Sequence, residues 1–344
     1  VGGALAPPTR SPTASGRREM ERQSRVRGDA DWAAEEQLLR VAWYYYVDEL
    51  TQDEIAKRLS ISRASAGRLL GRCRDSGIVR FTINSDYYES FQVGRQLKEK
   101  FGLKEALVPP SDETDLQNQA IVNARLGRGG AQYLQSHLKP GDILGMGWGD
   151  TVRQTMDSLS SDAIADVSTV TLTGGVGAYI NTLRRARDDR GSGLLDAVLP
   201  TPILASSEAL ATALRAESEV QDVLKMARRA NHAIVGIGSM TGQATLAQVG
   251  NATQDELARY ADAGAVGDVL GLFYDAQGQL VDLPIHRRRI GIEMDDLMAI
   301  PNVVGVAGGM SKRAAISGAL RGGFLDVLVT TEEVARALLA EDAP

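Results

Sequence analysis

The sequence predicts a two-domain protein: a small N-terminal domain built around a helix-turn-helix, then a larger α/β domain with a mostly parallel sheet. Three observations carry this. A capping-box sequence, a small residue and a serine-bounded turn stand in series within residues 51–70. From residue 85 onward, short β-rich runs alternate with amphipathic helical stretches, the signature of βαβ units. Several of those runs end in glycine. At 344 residues the chain is also too long for one typical core.

Hydrophobic residues make up 43% and charged residues 24%, the balance of a soluble globular protein. No stretch reaches eighteen apolar residues, which argues against a membrane span, and the N-terminus lacks the apolar core of a secretory signal. A single cysteine, Cys73, excludes an internal disulfide and agrees with a reducing cytoplasm. The net charge of -6 is unevenly spread. Residues 51–80 hold seven Lys/Arg against three acids, while residues 81–344 hold 24 basic and 33 acidic residues. Phosphates feel only charge within a Debye length of roughly 8 Å, so a basic head on an acidic body suits a DNA reader.

Residues 1–30, rich in Pro, Ser, Gly and Arg, are expected to be a disordered tail. Between Ala33 and Asp48, Leu38, Leu39, Ala42, Trp43 and Tyr46 recur at helical spacing and predict a helix. Thr51 and Glu54 form a capping box that starts the next helix, buried through Ile55, Ala56 and Leu59. Ala56 is small enough to let two helices cross closely. Ser60-Ile61-Ser62 makes the turn, at a place where many such motifs carry glycine, and Ser62 is a natural N-cap. In the following helix Ala66, Leu69 and Leu70 face inward, which leaves Arg63, Ala64, Ser65, Gly67 and Arg68 outside. A helix-turn-helix lays such a second helix in the major groove of double-stranded DNA. Arg63 and Arg68 suit bidentate bonds to guanine. Gln52, Ser62 and Ser65 suit base or phosphate contacts, and Arg72 with Arg74 suits backbone neutralisation. Gly77 ends the helix, Ile78–Ile83 reads as a short strand, and Asn84-Ser85-Asp86 as the hinge. The expected boundaries are therefore 1–30, 31–84 and 85–344.

In the larger domain the expected strands are Ala106–Val108, Ile143–Met146, Val167–Leu172, Ala233–Ile237, Val303–Val306 and Val327–Val329. The expected helices include Ile121–His137, Thr151–Leu159, Glu217–Arg229 and Lys312–Arg321. Ligands of such sheets sit at the carboxyl ends of the strands, near a topological switch point. Four ends run into glycine: Gly145-Met-Gly147-Trp148-Gly149-Asp150-Thr151, Thr173-Gly174-Gly175, Gly236-Ile-Gly238-Ser239 and Ala307-Gly308-Gly309. Glycine admits a sharp turn and a close ligand, and the helix from Thr151 offers its N-terminus to an anion. Lys312 adds a charge, and Asp268 an acceptor for sugar hydroxyls. Asp150 opposes a bound phosphate unless it caps the helix or holds a hydroxyl. The full dinucleotide fingerprint is missing, so no cofactor is expected. His137, His232 and His286 lack metal spacing, no catalytic constellation is visible, and His286-Arg-Arg-Arg289 reads as exposed charge, with Arg288 a candidate to face the ligand.

From about Glu35 to Leu339 these motifs together resemble the SorC/DeoR type of sugar-responsive regulators. The resemblance rests on Thr51–Leu59 with Ser62-Arg63, Gly147–Thr151, Val235–Ser239, Gly264–Asp268 and Ala307–Lys312 ahead of Ala319–Asp326. It implies a winged helix-turn-helix followed by a Rossmann-like domain similar to phosphosugar isomerases. It further implies a homotetramer or dimer of dimers, bound to operator DNA under the control of a sugar, polyol or sugar phosphate. By that analogy Gly147 to Thr151, Asp268 and Lys312 line the effector pocket, with Gly174 and Gly175 nearby. A sugar-phosphate isomerase or deaminase with an accessory helical head is the alternative.

Overall fold

The computed structural model describes residues 32, 34–79, 88–110, 118–175, 196–240 and 252–341. The chain divides into two compact units, Val1–Asn84 and Ser85–Pro344. The expected tail (1–30), residues 80–83 of the expected strand and the expected hinge lie outside the described residues.

Among the described residues the first unit holds three helices: α1 over residues 34–46, α2 (Gln52–Arg58) and α3 (Arg63–Asp75). Thr51 and Glu54 close both bonds of the capping box, with the Thr51 amide donating to Glu54 Oε2 at 2.8 Å. Val41, Ile55, Ala56, Ala66 and Leu70 form the core, with Leu59, Ile61 and Leu69 packed against it. Ser62 Oγ accepts from the Ser65 amide at 3.1 Å and starts α3, and Gly77 at φ 75° follows its end. Ile78 and Val79 are not in a strand. The Val79 amide donates to Cys73 O at 3.0 Å, and both residues pack against Leu38, Ala42 and Cys73. The expected helix is present as α1, but its apolar residues do not share one face. Leu38, Val41 and Ala42 are buried, whereas Leu39 and Trp43 are 52% and 59% exposed.

In the second unit the elements run α4 (Tyr88–Phe101), β1 (Glu105–Leu107), α5 (Gln119–His137), β2 (Ile143–Met146), α6 (Asp150–Ser158), α7 (Ser161–Ile164) and β3 (Ser168–Thr171). They continue with α8 (Glu208–Ala216), α9 (Ser218–Arg228), β4 (His232–Gly236), β5 (Gly238–Ser239), α10 (Gln254–Asp262), β6 (Gly267–Val269) and β7 (Leu272–Tyr274). Then follow α11 (Pro284–Arg288), α12 (Met294–Met298), β8 (Asn302–Val306), a 3-10 turn (Met310–Lys312), α13 (Arg313–Arg321), β9 (Val327–Val329) and α14 (Glu332–Leu339). Six strands form one parallel sheet in the order β1-β9-β8-β4-β2-β3. Its central strands are buried on both faces: every residue of β8 and β9 is buried, as expected where helices cover a parallel sheet. The chain leaves β2 for β3 on one side and returns to β4 on the other, so the winding reverses between β2 and β4. A small antiparallel sheet, β5-β6-β7, was not expected from the sequence. Its β6–β7 turn is Leu270-Gly271, with φ 56° and 76°, the geometry of a two-residue hairpin with positive φ at both positions.

The basic run at 286–289 is only partly surface charge: Arg287 is exposed and paired with Asp282, whereas His286 and Arg289 are committed to the interior. Arg289 is fully buried, and its guanidinium donates to the carbonyls of Ile292 and Leu270 and to Glu293. His286 Nε2 accepts from the Phe273 amide at 2.9 Å, which requires a neutral ring. Burial, then the neighbouring Arg289 charge, lowers its pKa to about 4 from the usual 6.5.

Two predictions follow from these placements. Ser60 sits at φ 54°, a left-handed conformation that glycine adopts without a Cβ penalty. Ser60→Gly is expected to raise the unfolding free energy by about 1 kcal/mol, read by urea titration. For His286 the unfolded ring gains a proton near pH 6.5 while the folded ring does not until about 4. Its contribution is complete above 6.5 and is lost as the pH falls from there towards 4. Melting temperature should drop across that window, and less steeply in His286→Gln.

Candidate functional site

Loops leaving β2, β4 and β8 meet at the carboxyl edge of the sheet, over the reversal between β2 and β4, the position where open α/β sheets bind ligands. They enclose a cavity of about 120 Å³ lined by Trp148, Gly149, Asp150, Thr151, Gly236–Ser239, Asp268, Leu270, Ser311, Lys312, Gln119 and Asn123. Its size is well below the roughly 300 Å³ at which drug-sized pockets begin, and its lining is mainly polar, so it suits a small hydrophilic ligand.

After β2 the chain turns through Gly149, whose φ of 124° excludes other residues, and α6 begins at Asp150 without any side-chain cap. The first-turn amides of α6 therefore lie at the cavity with the positive end of the helix dipole. Thr151 anchors that turn, its hydroxyl donating to Val306 O at 2.7 Å. Asp150 does not cap the helix. Its Oδ1 accepts from Arg153 Nη2 at 2.5 Å and its Oδ2 from Asn123 Nδ2 at 2.9 Å, so its charge is already countered and its repulsion of an anion is reduced.

Asp268 reaches the cavity because β5 pairs with β6 in a register that sets Gly238 opposite Asp268. A Cβ on residue 238 would stand 1.9 Å from Asp268 Oδ1, so only glycine fits. Asp268 is 5% exposed, and its Oδ2 accepts from the Gly271 amide at 3.0 Å. Burial raises its pKa to about 6, against the pull of that amide and of Lys312. Lys312 Nζ donates to Ile237 O at 2.8 Å, and burial lowers its pKa while Asp268 and Asp150 oppose the change. One cation and one carboxylate, both partly stripped of water, thus face the same small space.

The structure brings Trp148, Gly149, Asp150, Thr151, Asp268 and Lys312 together. Gly147 lies behind the lining, where a Cβ would meet Leu270 Cδ2 at 3.0 Å. Gly174 and Gly175 do not join the cavity. Their amides donate to Ile290 O and Thr201 O, and Cβ atoms there would strike Pro202 O and Ile203. Arg288 is likewise absent from the lining. Gln119, Asn123 and Leu270 were missed, being single residues outside any motif, while Ser239 and Ser311 fall inside the glycine-rich motifs without having been singled out. Among the described residues no cluster of His, Cys, Asp and Glu could hold a metal ion, and no helix is long and apolar enough to cross a membrane. A larger groove of about 880 Å³ runs beside α4, β1 and α5, away from the glycine-rich strand ends.

In the first unit Gln52, Ser62, Arg63, Ser65, Arg68 and Arg72 lie on α2, the turn and α3. Arg68 Nη2 donates to Ser65 Oγ at 2.9 Å, and Ser65 Oγ is 2.9 Å from Ser62 Oγ, a chain that orients the arginine. Arg63 stands 3.7 Å from Asp53 in an exposed pair of little energetic weight.

Fold and cavity together define an α/β domain with a small polar site at its topological switch point. The chain matches the sugar-binding domain family, Sugar-bind, over residues 85–340. It is 41% identical to the transcriptional regulator LsrR of Enterobacter sp. (strain 638) over 315 residues, 89% of this chain and 93% of that protein. It is 40% identical to LsrR of Escherichia coli (strain K12) over 314 residues, 89% and 95% of the two chains. The full-length sorbitol operon regulator SorC from Klebsiella pneumoniae is similar in structure, with a TM-score of 0.64 at 31% identity, covering 88% of this chain and 98% of that one. The chain belongs to the SorC-type family of sugar-binding transcriptional regulators. These relatives are regulators of transcription.

The Gly238–Asp268 contact makes a testable prediction. Gly238→Ala should destabilise the protein by about 1–3 kcal/mol through overpacking. Adding Asp268→Ala should recover part of that loss, a non-additivity measurable in a double-mutant cycle by denaturation.

Proposed function

We propose that α2 and α3 form a DNA-reading helix-turn-helix, and that the cavity over β2 and β4 binds a sugar, polyol or sugar phosphate that controls operator affinity. In this reading residues 31–84 are the DNA-binding domain, residues 85–344 are the effector domain, and the chain works as a homotetramer or dimer of dimers. The observation that carries the DNA reading is the outer surface of α3. Arg63, Arg68 and Arg72 are exposed beside Ala64, Gly67 and Gly71, three small residues on one face. A Cβ at Gly67 would make only an ordinary contact with Gln52, and at Gly71 none, so packing within the unit does not demand either glycine. Each costs the helix about 1 kcal/mol relative to alanine. A backbone that must approach a duplex closely accounts for both.

The effector reading rests on the pairing of Lys312 and Asp268 beside the α6 N-terminus. Ammonium and helix amides suit an anionic or hydroxyl oxygen, and Asp268 accepts from a hydroxyl. Coupling of about 1–3 kcal/mol between the two sites changes operator affinity roughly five- to 150-fold.

Arg63→Ala and Arg68→Ala are each expected to cost about 1–3 kcal/mol of specific binding without lowering the melting temperature. Arg72→Ala should weaken binding evenly across sequences and reduce the salt slope by about 1. Fluorescence anisotropy on fragments of the protein's own promoter region checks this; unchanged affinity in both Arg63→Ala and Arg68→Ala would remove the DNA reading. Lys312→Ala should weaken effector binding about tenfold or more, a loss of ~1.4 kcal/mol, with operator affinity preserved. Calorimetric titration of sugars, polyols and their phosphates is the measurement.

A further inference from the structure

Helix α13 starts at the turn that carries Lys312, and one of its faces is bound to a single carboxylate. Arg313, Ser317 and Arg321 follow at intervals of four, which sets them in a row along that face. All three reach Glu341, two residues past the end of α14. Ser317 Oγ donates to Glu341 Oε2 at 2.5 Å, Arg321 Nη2 lies 3.3 Å from the same oxygen, and Arg313 Nη1 lies 3.7 Å from Oε1. The hydroxyl contact has the length of a charge-assisted bond, and Ser317 is buried. The main chain of Glu341 is held from the other side. Lys100, in the last turn of α4, donates through Nζ to Glu341 O at 2.5 Å. It also donates to the carbonyls of Leu338 and Leu339 at 3.0 and 3.2 Å, which satisfies the end of α14. Near its start α14 is tied to α4 as well, by Ser90 with Glu332 at 2.9 Å and Glu89 with Arg336 at 2.6 Å.

We propose that Glu341 links the effector cavity to α4, so that a ligand at Lys312 acts on the element that follows the first unit in the chain. Lys312 is the N-cap of α13. Its ammonium is bonded to Ile237 O, and a ligand that takes the ammonium shifts this turn and with it the start of α13. The row of Arg313, Ser317 and Arg321 carries the shift to Glu341, and Lys100 carries it on to α4. Helix α4 is the first described element after the unit boundary between Asn84 and Ser85. Any coupling along the chain to the first unit therefore passes through it. Contiguous helices and hydrogen-bond networks are the physical carriers of such coupling. Glu341 joins two of them in one residue, its side chain on α13 and its main chain on α4. The proposal rests on the effector reading above and adds the route by which that site reaches the rest of the chain.

The test compares operator affinity of the full-length chain with and without sorbitol, ribose or their monophosphates, by fluorescence anisotropy. Calorimetry gives the affinity for the same compounds. Glu341→Ala should still bind both the compound and the operator. The change in operator affinity on adding the compound should shrink from the wild-type factor, roughly five- to 150-fold, to less than about twofold. Glu341→Gln keeps an acceptor for Ser317 and should retain more of the factor than Glu341→Ala. Ser317→Ala, which removes one hydroxyl, should lower the factor too and decides the matter if Glu341→Ala fails to fold. Arg228→Ala breaks an ion pair with Asp296 in the same unit, away from α13 and α14, and should keep the wild-type factor. A wild-type factor in both Glu341→Ala and Ser317→Ala overturns the link and leaves the effector reading standing. So does an equal loss in Arg228→Ala, which would mean that stability alone is being read. Binding of a compound to wild type with no change in operator affinity overturns the link and the control of DNA binding together. If none of the compounds binds wild type, the effector reading falls and the link with it.

Discussion

A carboxylate held almost out of water governs the architecture of the cavity. An isolated buried charge is strongly disfavoured, so Asp268 persists only with compensation, and the structure supplies it from three directions. The Gly271 amide donates to it, Lys312 lies close enough to lower its proton affinity, and residue 238 has no Cβ to collide with it. Each of these imposes a further condition. The Gly271 amide is aimed correctly only because the hairpin turns with positive φ at Leu270 as well, an unfavourable conformation for leucine. That turn is braced by the buried Arg289, which bonds Leu270 O and reaches on to Glu293 at the start of α12. One carboxylate thereby ties together β5, β6, the hairpin and a distant buried guanidinium.

The first unit accepts instability of the same kind. Ser60 occupies a left-handed position and α3 keeps two glycines in its interior. The capping box at Thr51 and the Ser62 cap act in the opposite direction, each worth about 1 kcal/mol. The local conflicts are concentrated on the turn and the outer face of α3 while the core of Ile55, Ala56, Ala66 and Leu70 is regular. Such conflicts gather at functional surfaces, because selection there acts on what approaches from outside.

The parallel sheet was legible because strands buried on both faces read as continuous apolar runs, and all six expected runs are strands of that sheet. The antiparallel sheet was not, since Gly238-Ser239 and Gly267-Asp268-Val269 are too short and too polar to show any period. Asp268 was therefore visible as part of a motif while its partner Gly238 was visible only as a turn. The misreadings share a cause. Gly174 and Gly175 look like ligand-loop glycines, but their missing Cβ atoms make room for Pro202 O and Ile203, some 28 residues away. The basic run ending at Arg289 looks exposed because the carbonyls that bury its guanidinium belong to residues 270 and 292. On α1, spacing alone merged two apolar faces into one. Local pattern predicts elements well; which glycine meets a ligand and which meets backbone depends on contacts distant in sequence.

Regulation requires a ligand to distinguish two states of the protein, since one that binds both equally shifts nothing. In the effector reading proposed above, Lys312 is where such a distinction would arise. Its ammonium bonds Ile237 O in the loop after β4, while Lys312 itself belongs to the turn after β8. A ligand oxygen that takes the ammonium replaces a bond between two loops with a bond to itself. A hydrogen bond to a charged group contributes about 1.5–3 kcal/mol, the same range as the coupling a regulator needs. In that reading the Lys312–Ile237 bond, broken in one state and kept in the other, is of the size that the coupling needs. Because coupling free energy is reciprocal, the proposed function requires operator DNA to change effector affinity by that same factor.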